Sequence, residues 1–175
     1  EMCRPVSVYR MWFARSIATR LSRAVLRSFP ILIVAAFLPH PYGLAAPASL
    51  KHFILFLITL VLGLLMTVSL CMLVYILAFF TISPAGLRLI FDSASDFFAG
   101  ALIPLPFFPE KMQRIMELLP FASMQNVPLR IYGGSMSSYE MKRAVFLQVF
   151  WLTAITFAGN ALCRLAQKRV TVQGG

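Results

Sequence analysis

From Phe53 to Phe80 the chain runs for 28 residues without one charged side chain. As a helix rising about 1.5 Å per residue, that stretch is about 42 Å long, more than the roughly 30 Å of a bilayer's hydrocarbon core. It must tilt or reach into the headgroup layer. The whole chain agrees: it is 59% hydrophobic and 13% charged, where soluble domains have about 45–50% and about 25%. One soluble core in 175 residues cannot hide that much apolar surface, so lipid is the expected solvent. The same figures exclude disorder. Cys3, Cys71 and Cys163 are far apart and form no CxxC pair, which excludes a disulfide scaffold and leaves three unpaired thiols.

The net charge of +10 would point to nucleic acid in a soluble protein, but its distribution points to a membrane. Residues 1–27 hold Arg4, Arg10, Arg15, Arg20, Arg23 and Arg27 against Glu1, and the carboxyl end adds Arg164, Lys168 and Arg169. Eight of the ten net charges therefore flank apolar segments at the two ends. That is the positive-inside pattern, which places both ends in the cytoplasm and requires an even number of crossings. No nucleic-acid partner is expected.

The pattern predicts an all-α, polytopic membrane helix bundle with four crossings, at about 21–38, 51–80, 87–103 and 144–163. The first is short in apolar residues from Val25 to Leu38, so Arg20, Arg23 and Arg27 are read as snorkelling to the inner headgroups. Pro30 kinks it, and Pro39 and Pro41 end it. Ser83-Pro84-Ala85-Gly86 breaks the second span, and Arg88 stands beside the break. Residues 1–20 form a cytoplasmic segment, 104–143 an external loop and 164–175 a cytoplasmic tail. Within the loop, Met112, Ile115, Met116 and Leu119 recur at helical spacing and predict a short amphipathic or re-entrant helix at 110–119. Ser137 or Ser138, with Glu140 following, predicts the start of the last helix. The chain opens in a basic polar stretch without an initiator Met or signal peptide, and upstream sequence is expected.

The third span carries Asp92, Ser93, Ser95 and Asp96, with the two aspartates four apart on one face. A carboxylate at membrane depth costs about 2.5–3.5 kcal/mol on insertion scales, so it faces protein or water. Two readings stand: a polar lining sensitive to protons or cations, or carboxylates near the inner end, solvated or paired with Arg88. Gln148 and Asn160 in the last span are expected to bond to neighbouring helices. No phosphate-binding GxxxxGK[ST], HExxH, CxxC or GxSxG motif occurs. His40 and His52 are the only histidines, both near the outer loop. An enzyme is hard to build from this set, and any energy source belongs to a partner or an ion gradient.

At Phe98-Ala99-Gly100-Ala101-Leu102-Ile103-Pro104-Leu105-Pro106-Phe107-Phe108-Pro109 the chain resembles the membrane subunits of ABC-2 type transporters. The pattern continues with Leu119-Pro120-Phe121, Pro128 and the turn Gly133-Gly134. The ends Arg4-Pro5-Val6-Ser7 and Lys168-Arg169-Val170-Thr171-Val172-Gln173-Gly174-Gly175 resemble one subgroup of these permeases. The resemblance implies a six-span subunit, of which this chain matches the last four. It also implies a second permease subunit, identical or different, and partner ATP-binding cassette subunits that bind and hydrolyse the ATP. This chain then carries no cofactor and no catalytic or metal-binding residues.

On that resemblance Arg4, Pro5 and Arg10 are expected to couple to the ATPase subunit, and Asp92 and Asp96 to line the inner vestibule. Gly100, Pro104, Pro106, Pro109, Pro120 and Phe121 are expected at the outer gate. The implied function is export of a drug-like or amphiphilic substrate by alternating access across a bacterial plasma membrane. The alternative is an ion-coupled carrier or channel using Asp92 and Asp96. A membrane-bound enzyme of lipid chemistry would need a His, Asp or Cys cluster at one membrane face, and the sequence offers none.

Overall fold

The computed structural model describes residues 8–39, 43, 46–78, 80–81 and 83–169. Among them are six α-helices, one turn of 3-10 helix and no strand. The helices are α1 (Val8–Phe37), α2 (Leu50–Ala78), α3 (Pro84–Ala99), α4 (Glu110–Leu118), α5 (Ala122–Tyr132) and α6 (Ser138–Arg169). The all-helical bundle expected from the sequence is thus present, with boundaries that differ in instructive places.

The first helix begins well before the apolar stretch. Arginine is a good helix former, and Tyr9, Trp12, Phe13 and Ile17 recur along one side of α1. They pack with Val68, Met72 and Ile76 of α2 and with Cys163 and Ala166 of α6. Residues 8–20 are continuous with the helix that follows, and Pro30 lies inside that helix. Beyond Arg20 the helix leaves the bundle: every residue from Leu21 to Val34 is exposed. Side chains such as Leu26 and Phe37, 75% and 85% exposed, would be an aggregation surface in water and are at home in lipid.

Helix α2 is the centre, in contact with α1, α3, α5 and α6. Its hydroxyls are satisfied without water. Thr59, Thr67 and Ser69 donate to the carbonyls of Leu55, Gly63 and Leu65 one turn earlier, at 2.8–2.9 Å, and Ser69 also shares a bond of 3.1 Å with Thr156 of α6. Helix α6 starts on a reciprocal capping box: the Ser137 N–H donates to Glu140 Oε2 at 2.7 Å, and the Glu140 N–H to Ser137 Oγ at 3.3 Å.

Two helices among the described residues, Leu50–Ala78 and Ser138–Ala166, are long and apolar enough to cross a bilayer. Helix α3 is shorter than its expected span of 87–103. Ser83 caps its start, and Gly100 stops it in the left-handed region at φ 79°, donating to the Asp96 and Phe97 carbonyls. A Cβ there would collide with the Leu105 side chain. Sixteen residues amount to about 24 Å, short of the hydrocarbon core. Where α3 ends, α5 takes over beside α2. It starts at Phe121, whose ring lies 6.0 Å from Phe91 and 5.7 Å from Phe98 of α3. It finishes where Tyr132 meets Phe56, 5.1 Å away near the start of α2.

Helix α5 was not expected from the sequence, and Pro128 falls inside it. A proline offers no N–H to the carbonyl one turn earlier, here that of Met124. Gly63 of α2 fits against this site: a Cβ on it would stand 2.7 Å from the Met124 oxygen and 3.3 Å from that of Ser123. From α6, the fully buried Gln148 donates to the Ser123 and Thr59 carbonyls at 2.7 and 3.2 Å. The predicted helix at 110–119 is α4. Its last carbonyl, on Leu118, accepts from Trp151 Nε1 of α6 at 2.8 Å, and Met116 is buried while Met112 and Ile115 stay exposed.

Candidate functional site

Helices α1, α2 and α3, with Met124 of α5, line an open cleft of about 860 Å³. Helix α1 contributes Arg15, Ser16, Thr19, Arg20 and Arg23, which share a face because they recur every three to four residues. Helix α2 contributes Leu64, Thr67, Cys71 and Tyr75, and α3 contributes Arg88, Phe91, Asp92, Ser95 and Asp96. Both aspartates singled out from the sequence therefore face the same space, and neither faces it alone. Four arginines stand with them, an excess of two positive charges among the lining residues.

The pairings within the cleft are partial. Arg88 approaches Asp92 at 3.7 Å, one turn along α3, with both side chains more than half exposed. Its guanidinium also lies 5.5 Å from the centre of the Tyr75 ring, a cation–π distance. Arg20 donates to Cys71 Sγ at 2.7 Å. Among the described residues Asp96, Arg15 and Arg23 have no ion pair within 4.0 Å. Ser95 is buried, yet its Oγ has no hydrogen-bond partner among the described residues. Charges left apart in this way are stable only against water or a bound counter-charge, so the cleft is a polar space built beside lipid-facing helices.

The residues expected at the gate divide. Phe121 packs against α3, and Pro120 beside it is buried. Gly100 ends α3 over Leu105, which joins Met116 and Ala122 in a core with Phe97, Phe98 and Phe108. Pro104, Pro106 and Pro109 are exposed around this core, where they shape the 3-10 turn Leu105–Phe107 and the start of α4. Of the residues expected to couple, Arg10 stands exposed in the first turn of α1. Arg4 and Pro5 lie outside the described residues.

Sequence reasoning missed Arg15, Arg20 and Arg23 as cleft residues because it read the arginines as anchors to the headgroups. The available signal was their common face with Ser16 and Thr19. A second charged cluster, also missed, joins α4 to α5: Glu117 accepts from Arg130 at 2.7 Å and from Gln113 at 3.2 Å. Glu140 and Arg143 of α6 line the space beside it. Among the described residues no group of three His, Cys, Asp or Glu side chains is placed to hold a metal ion.

No curated protein and no solved structure matches the chain. The model of one family, described as ABC-2 family transporter protein, matches residues 2–174. Members of such a family are membrane transport components that work with an ATP-binding cassette subunit, and they are not themselves catalytic. A bundle with lipid-facing helices around a polar cleft is what a transport component requires. On a match that spans almost its entire length, the chain belongs to the ABC-2 transporter family and is a membrane permease.

Proposed function

We propose that this permease exports an amphiphilic or drug-like substrate by alternating access, driven by a separate ATP-binding cassette subunit. The observation that carries the reading is the cleft between α1 and α3, a polar space walled by helices whose other faces are apolar. Such a space admits the polar part of an amphiphile from the membrane side while its tail stays in lipid. ATP is bound and hydrolysed by the partner, and this chain needs no cofactor of its own. A second permease subunit, identical or different, completes the pathway in a bacterial plasma membrane, with both ends of this chain in the cytoplasm.

In this scheme Arg4 and Pro5, which precede α1 in the sequence, and Arg10, in its first turn, take the push from the ATPase subunit. Because residues 8–37 are one helix, a displacement at Arg10 moves Arg15, Arg20 and Arg23 with it and changes the width of the cleft at Asp92 and Asp96. The core around Phe121, Leu105 and Gly100, with Pro104, Pro106, Pro109 and Pro120, closes the far end. The test is export of an amphiphilic dye by vesicles that hold the chain together with its ATP-binding cassette subunit. ATP-dependent export that requires both proteins is the expected result. Transport without the ATPase subunit, driven by a proton or cation gradient, would overturn it in favour of a carrier using Asp92 and Asp96.

A further inference from the structure

We infer that the cleft between α1 and α3 takes the anionic, phosphate-type head of an amphiphile, with Arg15 and Arg23 as its principal ligands. This rests on the export reading for the nature of the transport cycle, but the binding site stands on its own geometry.

The charges on the cleft wall decide the sign of the ligand. Asp92 is already matched by Arg88, and Arg20 spends one donor on Cys71. Arg15, Arg23 and Asp96 line the same cleft, and among the described residues none of the three has an ion pair within 4.0 Å. The excess of two positive charges among the lining residues favours a compact anion. Arginine is suited to it because its planar fork of N–H donors matches phosphate and carboxylate oxygens bidentately. Ser95 adds a buried hydroxyl without a partner on the same wall, a donor that an incoming oxygen would satisfy.

The surroundings decide the rest of the ligand. Leu64, Phe91 and Met124 line the same cleft, and beyond Arg27 helix α1 is apolar and exposed from Phe29 to Val34. A head held by the arginines would leave an acyl or other apolar tail lying along this surface. A free inorganic anion would gain nothing from it. Arg15 and Arg23 are exposed as Arg27 is, but they line the cleft and Arg27, on the same helix, does not.

Cys71, on the cleft wall, provides the readout. In the full chain carrying Cys3→Ser and Cys163→Ala, Cys71 is the remaining thiol, and its labelling by an uncharged maleimide is followed in dodecyl maltoside, a detergent without charge. Dodecyl phosphate is expected to slow labelling by about tenfold or more, as a few charge-assisted hydrogen bonds allow. Dodecyltrimethylammonium is expected to leave it unchanged. The double variant Arg15→Gln, Arg23→Gln should lose the protection, and Arg27→Gln should keep it.

Equal protection by the cationic amphiphile would overturn the sign of the ligand, a comparison that needs no arginine variant. Full protection by inorganic phosphate alone would overturn the amphiphile, and protection that survives in the double variant would overturn the site. Binding is read here without an ATPase subunit, so it succeeds or fails separately from ATP-driven export.

Discussion

Gly63 of α2 lies so close to Met124 of α5 that a Cβ on it would stand 2.7 Å from the Met124 carbonyl oxygen. The contact follows from two sequence features that are far apart: a glycine in the centre of an apolar helix, and a proline four residues after Met124 that leaves its carbonyl without a helical donor. The two helices approach there at backbone distance.

Replacing Gly63 by Ala is therefore expected to destabilise the bundle, although alanine is the better helix former. The obstructing atom is a backbone oxygen and cannot swing aside as a side-chain end would. Overpacking of this kind costs about 1–3 kcal/mol, against a gain of roughly 1 kcal/mol in helix propensity. Thermal unfolding in detergent, followed by α-helical circular dichroism, should show a lower midpoint for Gly63→Ala and a lower one still for Gly63→Val. An unchanged or raised midpoint for the alanine variant would mean that α2 and α5 do not meet at this distance.

Gln148 makes a sharper test, because its two hydrogen bonds both run from its amide nitrogen to backbone carbonyls. Gln148→Leu removes both bonds, while the carbonyls of Ser123 and Thr59 keep their helical N–H partners, at about 1 kcal/mol. Gln148→Glu keeps the shape but turns the donor into an acceptor facing two acceptors inside the bundle. The expected order of stability is wild type, then leucine, then glutamate. The Oε1 atom of Gln148 has no partner among the described residues, so nothing there rewards a carboxylate. A glutamate variant as stable as the leucine one would refute the node.

How much of this was legible in the sequence depends on which force decides each element. Helix α2 was legible because 28 uncharged residues leave no alternative to a span, and the start of α6 because Ser137 and Glu140 carry a local capping signal. Helix α5 was not: Pro128 is a helix breaker locally, and the contacts that hold α5 in place, Gly63 against the Met124 carbonyl and Gln148 on the Ser123 carbonyl, come from residues remote in sequence. The early start of α1 was hidden by five arginines, although Tyr9, Trp12, Phe13 and Ile17 already carried the helical spacing of a packed face. Asp92 and Asp96 could be read as a pair. The arginines opposite them could not, since only tertiary structure says which side of α1 turns toward α3.

The Glu117–Arg130 pair links α4 to α5 at 2.7 Å with each side chain about a quarter exposed, 29% and 23%. The Glu110–Arg114 pair on α4 is 3.8 Å apart and almost fully exposed. Both have one acid and one arginine, so burial and the shorter distance separate them. A double-mutant cycle replacing Glu117 with Gln and Arg130 with Met is expected to give a coupling of about 1 kcal/mol. The same cycle at Glu110 and Arg114 should give nothing measurable, because exposed pairs at helical spacing are screened by water and salt. Equal couplings at the two pairs would show that α4 is not held against α5 in the way described.

The aspartates separate the two accounts of how transport is powered. In a carrier, Asp92 and Asp96 would take up the coupling ion, and neutralising either should abolish transport. In an ATP-driven permease they are part of the cleft wall. Asp92 is half exposed and matched with Arg88, so Asp92→Asn removes an exposed pair worth little, about 0.5 kcal/mol. ATP-driven transport by that variant should stay within about threefold of wild type, since each 1.4 kcal/mol corresponds to a factor of ten. Asp96 shares the cleft with Arg15 and Arg23 and has no ion pair among the described residues, so Asp96→Asn makes the cleft more positive and should tighten an anionic substrate, seen as a lower KM. The measurement is transport in vesicles with ATP present and with an imposed proton or sodium gradient in its place. Abolition of ATP-driven transport by Asp92→Asn, or a rate that follows the gradient in wild type and is lost in both variants, would transfer the coupling to the aspartates and take it from the ATPase partner.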